Sequence, residues 1–285
     1  MYSSLTVVSL VLSLILLCDS ERILVVVPTP SISHQVVFRP LTQELARRGH
    51  EVVVLTADPA FPKGQNPANL TEIDVHDISY ERWINGIKQH AEGNGLNNNH
   101  YKLIKSMLKL LPSIFEIEMN NTEFRKVISE DRKFDLVILE ACMRPTLVLP
   151  YILKTPAIAM SSFGAMMGHY NTFGVPSHPM LYPIPIRQRL YNLTLWEKVT
   201  ELYNHFYLEY IFDHNEHIEN EVVRRVFGSD IPPLIMVIAE YNNRLTSHNV
   251  VMCLFQIGSY LRLFKAGVNR HFTGQTLNIN GHVTA

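Results

Sequence analysis

The sequence predicts an α/β fold in which helices flank a parallel sheet, and three neighbouring runs of residues support it. Residues 23–27 and 51–56 are short, apolar and rich in β-branched residues, as expected of strands buried on both faces of a parallel sheet. The stretch between them has apolar residues at helical spacing. A strand, a helix and a strand in this order imply a right-handed parallel crossover. With 285 residues, 47% of them hydrophobic, the chain can bury such a core.

The first helix is predicted to follow a loop over residues 29–33. Val37, Leu41 and Leu45 recur on one face of this helix, charged residues fall on the other faces, and Gly49 is a typical residue to end it. The second strand then follows without a long connection.

Beyond the second strand the pattern is less regular. Residues 58–99 are polar and rich in Asn, Gly and Pro, which predicts long surface loops. A helix is predicted over residues 101–119, another central strand over residues 134–140, and a further strand over residues 155–160.

The next segment, residues 161–190, is dense in Gly, Pro, His, Tyr and Met, a mixture that suits the wall of a binding pocket. Helical spacing returns over residues 195–226, and residues 228–233 indicate a break.

The amino terminus indicates entry into the secretory pathway. Residues 1–20 carry no charged side chain before Asp19, and their apolar run is shorter than the roughly 20 residues that span a bilayer, so we predict a cleaved signal peptide rather than an anchoring helix. Asn69, Asn120 and Asn192 each begin an Asn-X-Thr sequon and are predicted glycosylation sites. The cysteines are too few for a disulfide framework.

Composition and motifs exclude several classes of protein. The formal net charge of -1 offers no general attraction for nucleic acid. The glycine-rich dinucleotide and triphosphate motifs and the G-x-S-x-G motif are missing from the turns where they are expected. His214 and His217 look like half of a metal site, but no recognisable motif supplies a third ligand, so an exposed helix face is favoured and no metal is predicted.

His34 and Glu140 are the candidate catalytic residues. His34 lies between the first strand and the first helix, where open α/β sheets bind ligands, and a helix N-terminus favours a neutral imidazole that can accept a proton. Glu140 ends another central strand on the same edge of the sheet, so the two side chains are expected to meet. A carboxylate bound to one ring nitrogen stabilises the charge gained at the other. Each residue also has a structural explanation, as part of a helix cap.

Longer stretches are more specific than any of these motifs. They are ILVVVPTPSISHQVVFRPLTQELARRGHEVVVLTADP, FDLVILEACMRP, SSFGAMMGHYNTFGVPSHPMLYP and RQRLYNLTLWEKV. In this order they resemble the UDP-glycosyltransferase family, in particular its insect members, over residues 1–234.

The resemblance implies the N-terminal domain of a two-domain, B-type glycosyltransferase fold, with a Rossmann-like acceptor-binding domain over residues 21–234. It implies that His34 is the general base and Glu140 its acidic partner, where many relatives have Asp. Residues expected to contact the acceptor are Met143, Ser161, Phe163 and His169.

The implied reaction is inverting transfer of a hexose from a UDP-sugar to a hydroxyl of a small lipophilic acceptor, as in detoxification. The UDP-sugar is a co-substrate, and no permanently bound cofactor is expected. Whether the sugar is glucose or glucuronic acid stays open. The expected location is the lumen of the endoplasmic reticulum, and no nucleic-acid partner is expected.

After residue 234 the family pattern stops, and residues 235–285 are expected to form a divergent, poorly ordered tail. The UDP-sugar domain and the terminal membrane anchor of relatives are therefore expected to be absent, and the truncated chain to be inactive alone. Truncation, alternative splicing and a misassembled reading frame each explain such a junction. The alternative function is a non-catalytic lumenal protein that binds lipophiles or regulates a full-length UDP-glycosyltransferase.

Overall fold

A computed structural model describes residues 20–94, 100–162, 178–180 and 192–244. Its centre is a five-stranded parallel sheet with the strand order β3-β2-β1-β4-β5. The strands are β1 (Arg22–Val27), β2 (Glu51–Thr56), β3 (Leu70–Asp74), β4 (Leu136–Glu140) and β5 (Ala157–Met160). The predicted α/β fold with a parallel sheet is confirmed.

Helices connect the strands and cover the sheet. They are α1 (Ile32–Arg47), α2 (His76–Asn94), α3 (His100–Met119), α4 (Thr122–Ile128), a 3-10 helix (Arg144–Leu147), α5 (Val148–Leu153), α6 (Leu195–His214), α7 (Glu216–Phe227) and α8 (Leu234–Arg244). None of these described helices is both long enough and apolar enough to cross a membrane.

The sheet separates two hydrophobic clusters because successive side chains of a strand point to opposite faces. On β1, Leu24 and Val26 face the larger cluster, which contains residues of α3, α4 and α7. Val25 faces the smaller cluster, where Phe38 and Ala46 of α1 pack. The side chain of every β1 residue is buried, which explains why this strand is an uninterrupted apolar run after Arg22.

The segment 58–99 is where the loop prediction is wrong, because it contains β3 and the whole of α2. β3 pairs only with β2 and therefore lies at the edge of the sheet. Leu70 and Ile73 are buried while Thr71 and Asp74 are exposed, so this strand lacks the apolar run of a central strand. An edge strand of this kind has the composition of a loop.

Two helix predictions also need correction. α1 begins at Ile32, with Ser31 as its N-cap, so the predicted loop over residues 29–33 is shorter and His34 lies in the first helical turn. The helical stretch predicted over residues 195–226 is two helices, because the chain turns at Asn215 and the Asn215 amide donates to the Ile211 carbonyl, 2.6 Å away.

The carboxyl-terminal part of the described chain is helical. α8 starts at the predicted boundary, residue 234, and packs against α5, α7 and the 3-10 helix. Leu234, Val237 and Ile238 are buried there, so residues up to 244 continue the folded domain. The predicted signal peptide and residues 245–285 lie outside the described residues, apart from Ser20.

Candidate active site

The site lies where the order of the strands reverses. From β1 the chain crosses to β2 and β3 on one side, and it later returns as β4 and β5 on the other side of β1. The carboxyl ends of β1 and β4 are therefore neighbours from which the connections depart in opposite directions. Open α/β sheets bind ligands in the crevice that this reversal creates. His34 follows β1, and Glu140 is the last residue of β4.

His34 and Glu140 meet at this crevice, as the sequence predicts. The Nδ1 atom of His34 is hydrogen-bonded to Oε1 of Glu140. The other carboxylate oxygen accepts a hydrogen bond from the backbone N–H of Thr29, at 3.2 Å. The Glu140 side chain is fully buried, whereas the His34 side chain is 12% exposed. The extra methylene of Glu relative to Asp therefore does not prevent the contact.

This contact assigns different tasks to the two nitrogens of the His34 ring. A neutral imidazole carries one proton, and a carboxylate partner favours that proton on Nδ1. Nε2 then becomes the nitrogen that accepts a proton. Because the His34 backbone N–H donates to Ser31 O at 2.9 Å, the first turn of α1 fixes the backbone from which the ring extends.

Gln35 is a positioning residue that motif-based reasoning missed. Its buried side-chain amide donates to the carbonyl of Val27, at 2.9 Å, and to that of Thr29, at 2.8 Å. Its side-chain oxygen accepts from the Thr56 hydroxyl at 2.7 Å. One amide thus ties the end of β1, the loop that contacts Glu140 and the end of β2 together.

The position of Gln35 along α1 is the signal that would have identified it. Gln35, Phe38, Thr42 and Ala46 recur at helical spacing, and all four are buried. A glutamine in phase with a buried face requires hydrogen-bond partners inside the protein.

Cys142 lies beside the catalytic candidates, two residues after Glu140. Its Sγ atom, a ring nitrogen of His34 and a carboxylate oxygen of Glu140 all lie within 4.8 Å of one another. Burial raises the pKa of the Cys142 thiol, the charge of Glu140 raises it further, and the neighbouring Thr29 hydroxyl opposes the shift. The thiol therefore keeps its proton at neutral pH.

A second carboxyl group, Glu118 of α3, is buried in the interior. Ser79 Oγ donates to Glu118 Oε1 at 2.5 Å, while Oε2 has no hydrogen-bond partner among the described residues. Burial raises the pKa of Glu118 well above its ordinary value, and the charge of Glu140 contributes to the shift. Burial therefore favours the protonated form of Glu118.

An ion pair fixes the chain just after the site. Arg144, in the 3-10 helix, donates from Nε to Glu219 of α7 at 2.7 Å, and its guanidinium lies 4.2 Å from the centre of the Phe212 ring. Both members of the pair are buried. Burial raises the pKa of Glu219, and Arg144 opposes that shift. The pair thereby attaches the segment that follows Glu140 to the helical layer.

The predicted acceptor contacts fall in different places. Ser161 directly follows β5 on the same edge of the sheet and is 2% exposed. Met143 packs in the larger hydrophobic cluster and is 1% exposed. Phe163 and His169 lie outside the described residues. The contact of these four residues with an acceptor stays a prediction.

The other residues considered in the sequence are three sequon asparagines and the pair His214 and His217, all of which are exposed. Asn69, Asn120 and Asn192 are exposed, and their glycosylation stays a prediction. The rings of His214 and His217 lie 6.1 Å apart, between centroids. In the part of the chain that the structure describes, the potential metal ligands that come together are instead those around His34.

Two curated relatives show similarity over most of this chain. The chain is 29% identical over 239 residues to an ecdysteroid UDP-glucosyltransferase of Spodoptera littoralis nuclear polyhedrosis virus, an alignment covering 78% of this chain and 45% of the relative. It is 25% identical over 229 residues to UDP-glucosyltransferase 2 of Dactylopius coccus, covering 76% and 41% respectively. The chain thus spans less than half the length of these relatives.

The chain also aligns with a solved structure, LpCGTa in complex with UDP, at 9% identity. The alignment covers 87% of this chain and 56% of LpCGTa, and its TM-score of 0.34 is too low to support a conclusion. The family model described as UDP-glucoronosyl and UDP-glucosyl transferase matches residues 22–239, which include the whole sheet, His34 and Glu140. The chain belongs to this family of UDP-glycosyltransferases.

Proposed function

We propose that this domain binds the acceptor and activates its hydroxyl in an inverting UDP-glycosyltransferase. The observation that carries the proposal is the contact between His34 and Glu140 at the strand-order reversal. A histidine oriented by a buried carboxylate is the arrangement of a general base. Membership of the family supplies the type of reaction.

In the proposed step, the proton of the acceptor hydroxyl passes to Nε2 of His34 as the acceptor oxygen attacks the anomeric carbon of the sugar. A new carbon–oxygen bond forms, the bond from the anomeric carbon to UDP breaks, and UDP leaves with the bonding electron pair. Attack from the opposite face converts an α-linked donor into a β-glycoside. Glu140 stabilises the imidazolium that forms, and the Thr29 N–H holds the carboxylate in place.

The substrates follow from the relatives. Several are named ecdysteroid UDP-glucosyltransferases, so we propose UDP-glucose as the first donor to test and a steroid alcohol as the first acceptor. We also propose a lumenal location in the endoplasmic reticulum, following from the predicted signal peptide and the exposed sequons. A non-catalytic binding role needs no paired base and acid, so the His34–Glu140 contact favours catalysis.

The test uses a fusion enzyme, in which residues 21–244 are joined to the carboxyl-terminal half of the Spodoptera littoralis virus relative. With UDP-glucose and an ecdysteroid, we expect the fusion to release UDP and form a glucoside, whereas the 285-residue chain alone should be inactive. His34→Ala should lower kcat by roughly 10²–10⁴-fold, the usual contribution of a general base.

His217→Ala, at an exposed histidine of α7, is the matched control and should keep full activity. Undiminished turnover in a folded His34→Ala fusion would reject His34 as the base. Glycosyl transfer by the 285-residue chain alone would show that the domain also carries donor binding.

A further inference from the structure

We propose that His34, Glu140 and Cys142 form a binding site for a thiophilic divalent cation such as Zn²⁺. An imidazole nitrogen, a carboxylate oxygen and a sulfur atom are the ligand types that zinc uses in proteins. These three atoms already lie within 4.8 Å of one another. No sequence motif predicts the site, because its ligands come from two distant segments of the chain that meet only at the centre of the sheet.

A tetrahedral ion requires a particular spacing of its ligand atoms. Zinc bonds of about 2.0–2.3 Å place neighbouring ligand atoms about 3.3–3.8 Å apart. Side-chain rotation has to bring the three atoms, which lie within 4.8 Å of one another, to that spacing. Three protein ligands leave the fourth position of a tetrahedral ion for water or another oxygen.

Thr29 supplies independent support. Its backbone N–H donates to the Glu140 oxygen that does not contact His34, which is the outer hydrogen bond that orients a metal-binding carboxylate. Its hydroxyl is fully buried without a well-aligned hydrogen-bond partner among the described residues, and it lies beside the Cys142 thiol. A buried hydroxyl in this position can bind the cation, or a water molecule on it, as the fourth ligand.

Binding of the cation would switch the ring to the wrong tautomer for catalysis. Coordination uses the lone pair of Nδ1, so the single proton of a neutral ring moves to Nε2, and the Cys142 thiol releases its proton to solvent. Nε2 then carries a proton and cannot accept one from a hydroxyl. The loss of activity rests on the proposed function, whereas the binding site does not.

The binding test uses residues 21–285, the chain that remains after the predicted signal cleavage, and Cd²⁺, which gives an ultraviolet charge-transfer band when thiolate sulfur binds it. We expect the wild type to bind one equivalent with this band and to gain thermal stability, because a cation that binds only the folded state raises Tm. Cys142→Ser should lose the band and the rise in Tm. His34→Ala should weaken binding by more than about tenfold, since it removes one ligand.

Cys253→Ser is the matched control, because it removes the other cysteine that remains after the predicted signal cleavage. This variant should keep both the band and the rise in Tm. A band that persists in Cys142→Ser, a band that disappears in Cys253→Ser, or no saturable binding by the wild type would each overturn the proposal.

Inhibition is measured separately in the fusion enzyme. Zn²⁺ should inhibit the fusion reversibly, a chelator should restore turnover, and Cys142→Ser should make turnover resistant to Zn²⁺. An inactive fusion that accompanies normal Cd²⁺ spectra would contradict the proposed function and leave the metal site standing. An active fusion whose inhibition is unchanged in Cys142→Ser would contradict the tautomer switch.

Discussion

The two ends of the central strands bury polar groups in different ways. At the amino-terminal end, the buried Arg22 side chain bonds Glu51 at 2.9 Å, Glu130 at 2.6 Å and the Arg132 carbonyl at 2.8 Å. The guanidinium also lies 4.4 Å from the centre of the Phe134 ring. At the carboxyl end, the buried Glu140 contacts an imidazole and a backbone N–H.

The two ends differ in the group that pairs with the carboxylates, which is a guanidinium at one end and an imidazole at the other. A guanidinium stays protonated throughout the physiological range, so the Arg22 cluster can only hold strands together. An imidazole can both accept and donate a proton, so the Glu140 cluster can do chemistry. We therefore expect one end of the sheet to serve stability and the other to serve function, which separate variants can test.

Loss of the carboxylate at the functional end should give the largest effect. In the fusion enzyme, Glu140→Gln is expected to lower kcat by about 10³–10⁴-fold, because the amide neither selects the Nδ1 tautomer nor stabilises the imidazolium. Glu140→Asp, which introduces the residue expected in many relatives, should retain more activity than Glu140→Gln. Steady-state kinetics measure the kcat of each variant. Equal kcat values for Glu140→Gln and wild type would reject a catalytic role for Glu140.

Loss of the Arg22 guanidinium, at the amino-terminal end of the strands, should lower the stability of the fold without changing the rate of the reaction. Arg22→Met is expected to lower the free energy of unfolding by about 2–3 kcal/mol, less than for a fully buried pair because Glu51 and Glu130 are each about one third exposed. Urea denaturation measures this change. The kcat of the folded fusion should stay within about twofold of wild type, since no group at the reacting end changes. A large fall in kcat at unchanged stability would reverse the assignment of the two ends.

Gln35→Leu should produce a smaller change that affects both properties. It removes the hydrogen bonds of Gln35 to two carbonyls and to the Thr56 hydroxyl, which should cost about 1–3 kcal/mol of stability. Because the Thr29 loop loses its anchor, kcat should also fall. Gln35→Met keeps the length of the side chain without these hydrogen bonds and tests whether shape alone is sufficient. A Gln35→Leu variant with wild-type stability and kcat would show that the loop is held by other contacts.

The smallest expected effect concerns Glu118. Its raised pKa means that the folded state holds a proton that the unfolded state releases above its ordinary pKa of 4.5, so this group makes stability fall as pH rises from there towards the folded-state pKa. Glu118→Gln removes that contribution. The variant should gain stability relative to wild type at pH 8 and not at pH 4, as measured by urea denaturation at both values. Parallel pH profiles for variant and wild type would contradict the buried, protonated acid.

Sequence patterns predicted the parts of the fold in which burial is complete. β1, β2, β4 and β5 are recognisable because strands covered on both faces need apolar residues throughout. The meeting of His34 and Glu140 follows from topology, since parallel strands end on the same edge. β3 has the composition of a loop because Thr71 and Asp74 are exposed, unlike the residues of the other edge strand, β5, and the helix α2 that follows β3 carries many polar residues.

The contacts that surround the two catalytic candidates were not predictable in the same way. The burial of Gln35 follows from its phase along α1, whereas the position of Cys142 depends on the turn that follows β4. Glu118 is in phase with the buried Ile114 and Phe115, while Glu116, in the same helix, is partly exposed and binds Arg225. The hydrogen-bond partners of these side chains are distant in sequence, and no local pattern specifies those partners.

The separation of β1 from β4 along the chain also matters while the protein is being made. His34 and Glu140 are 106 positions apart, so at about 5–20 residues per second the ribosome needs about 5–20 seconds to deliver the second after the first. During that interval β1 and β2 can pair, but the other edge of β1 is an apolar strand with open hydrogen-bonding groups. A nascent chain at this stage therefore exposes an apolar strand edge that can pair with another chain until β4 covers it.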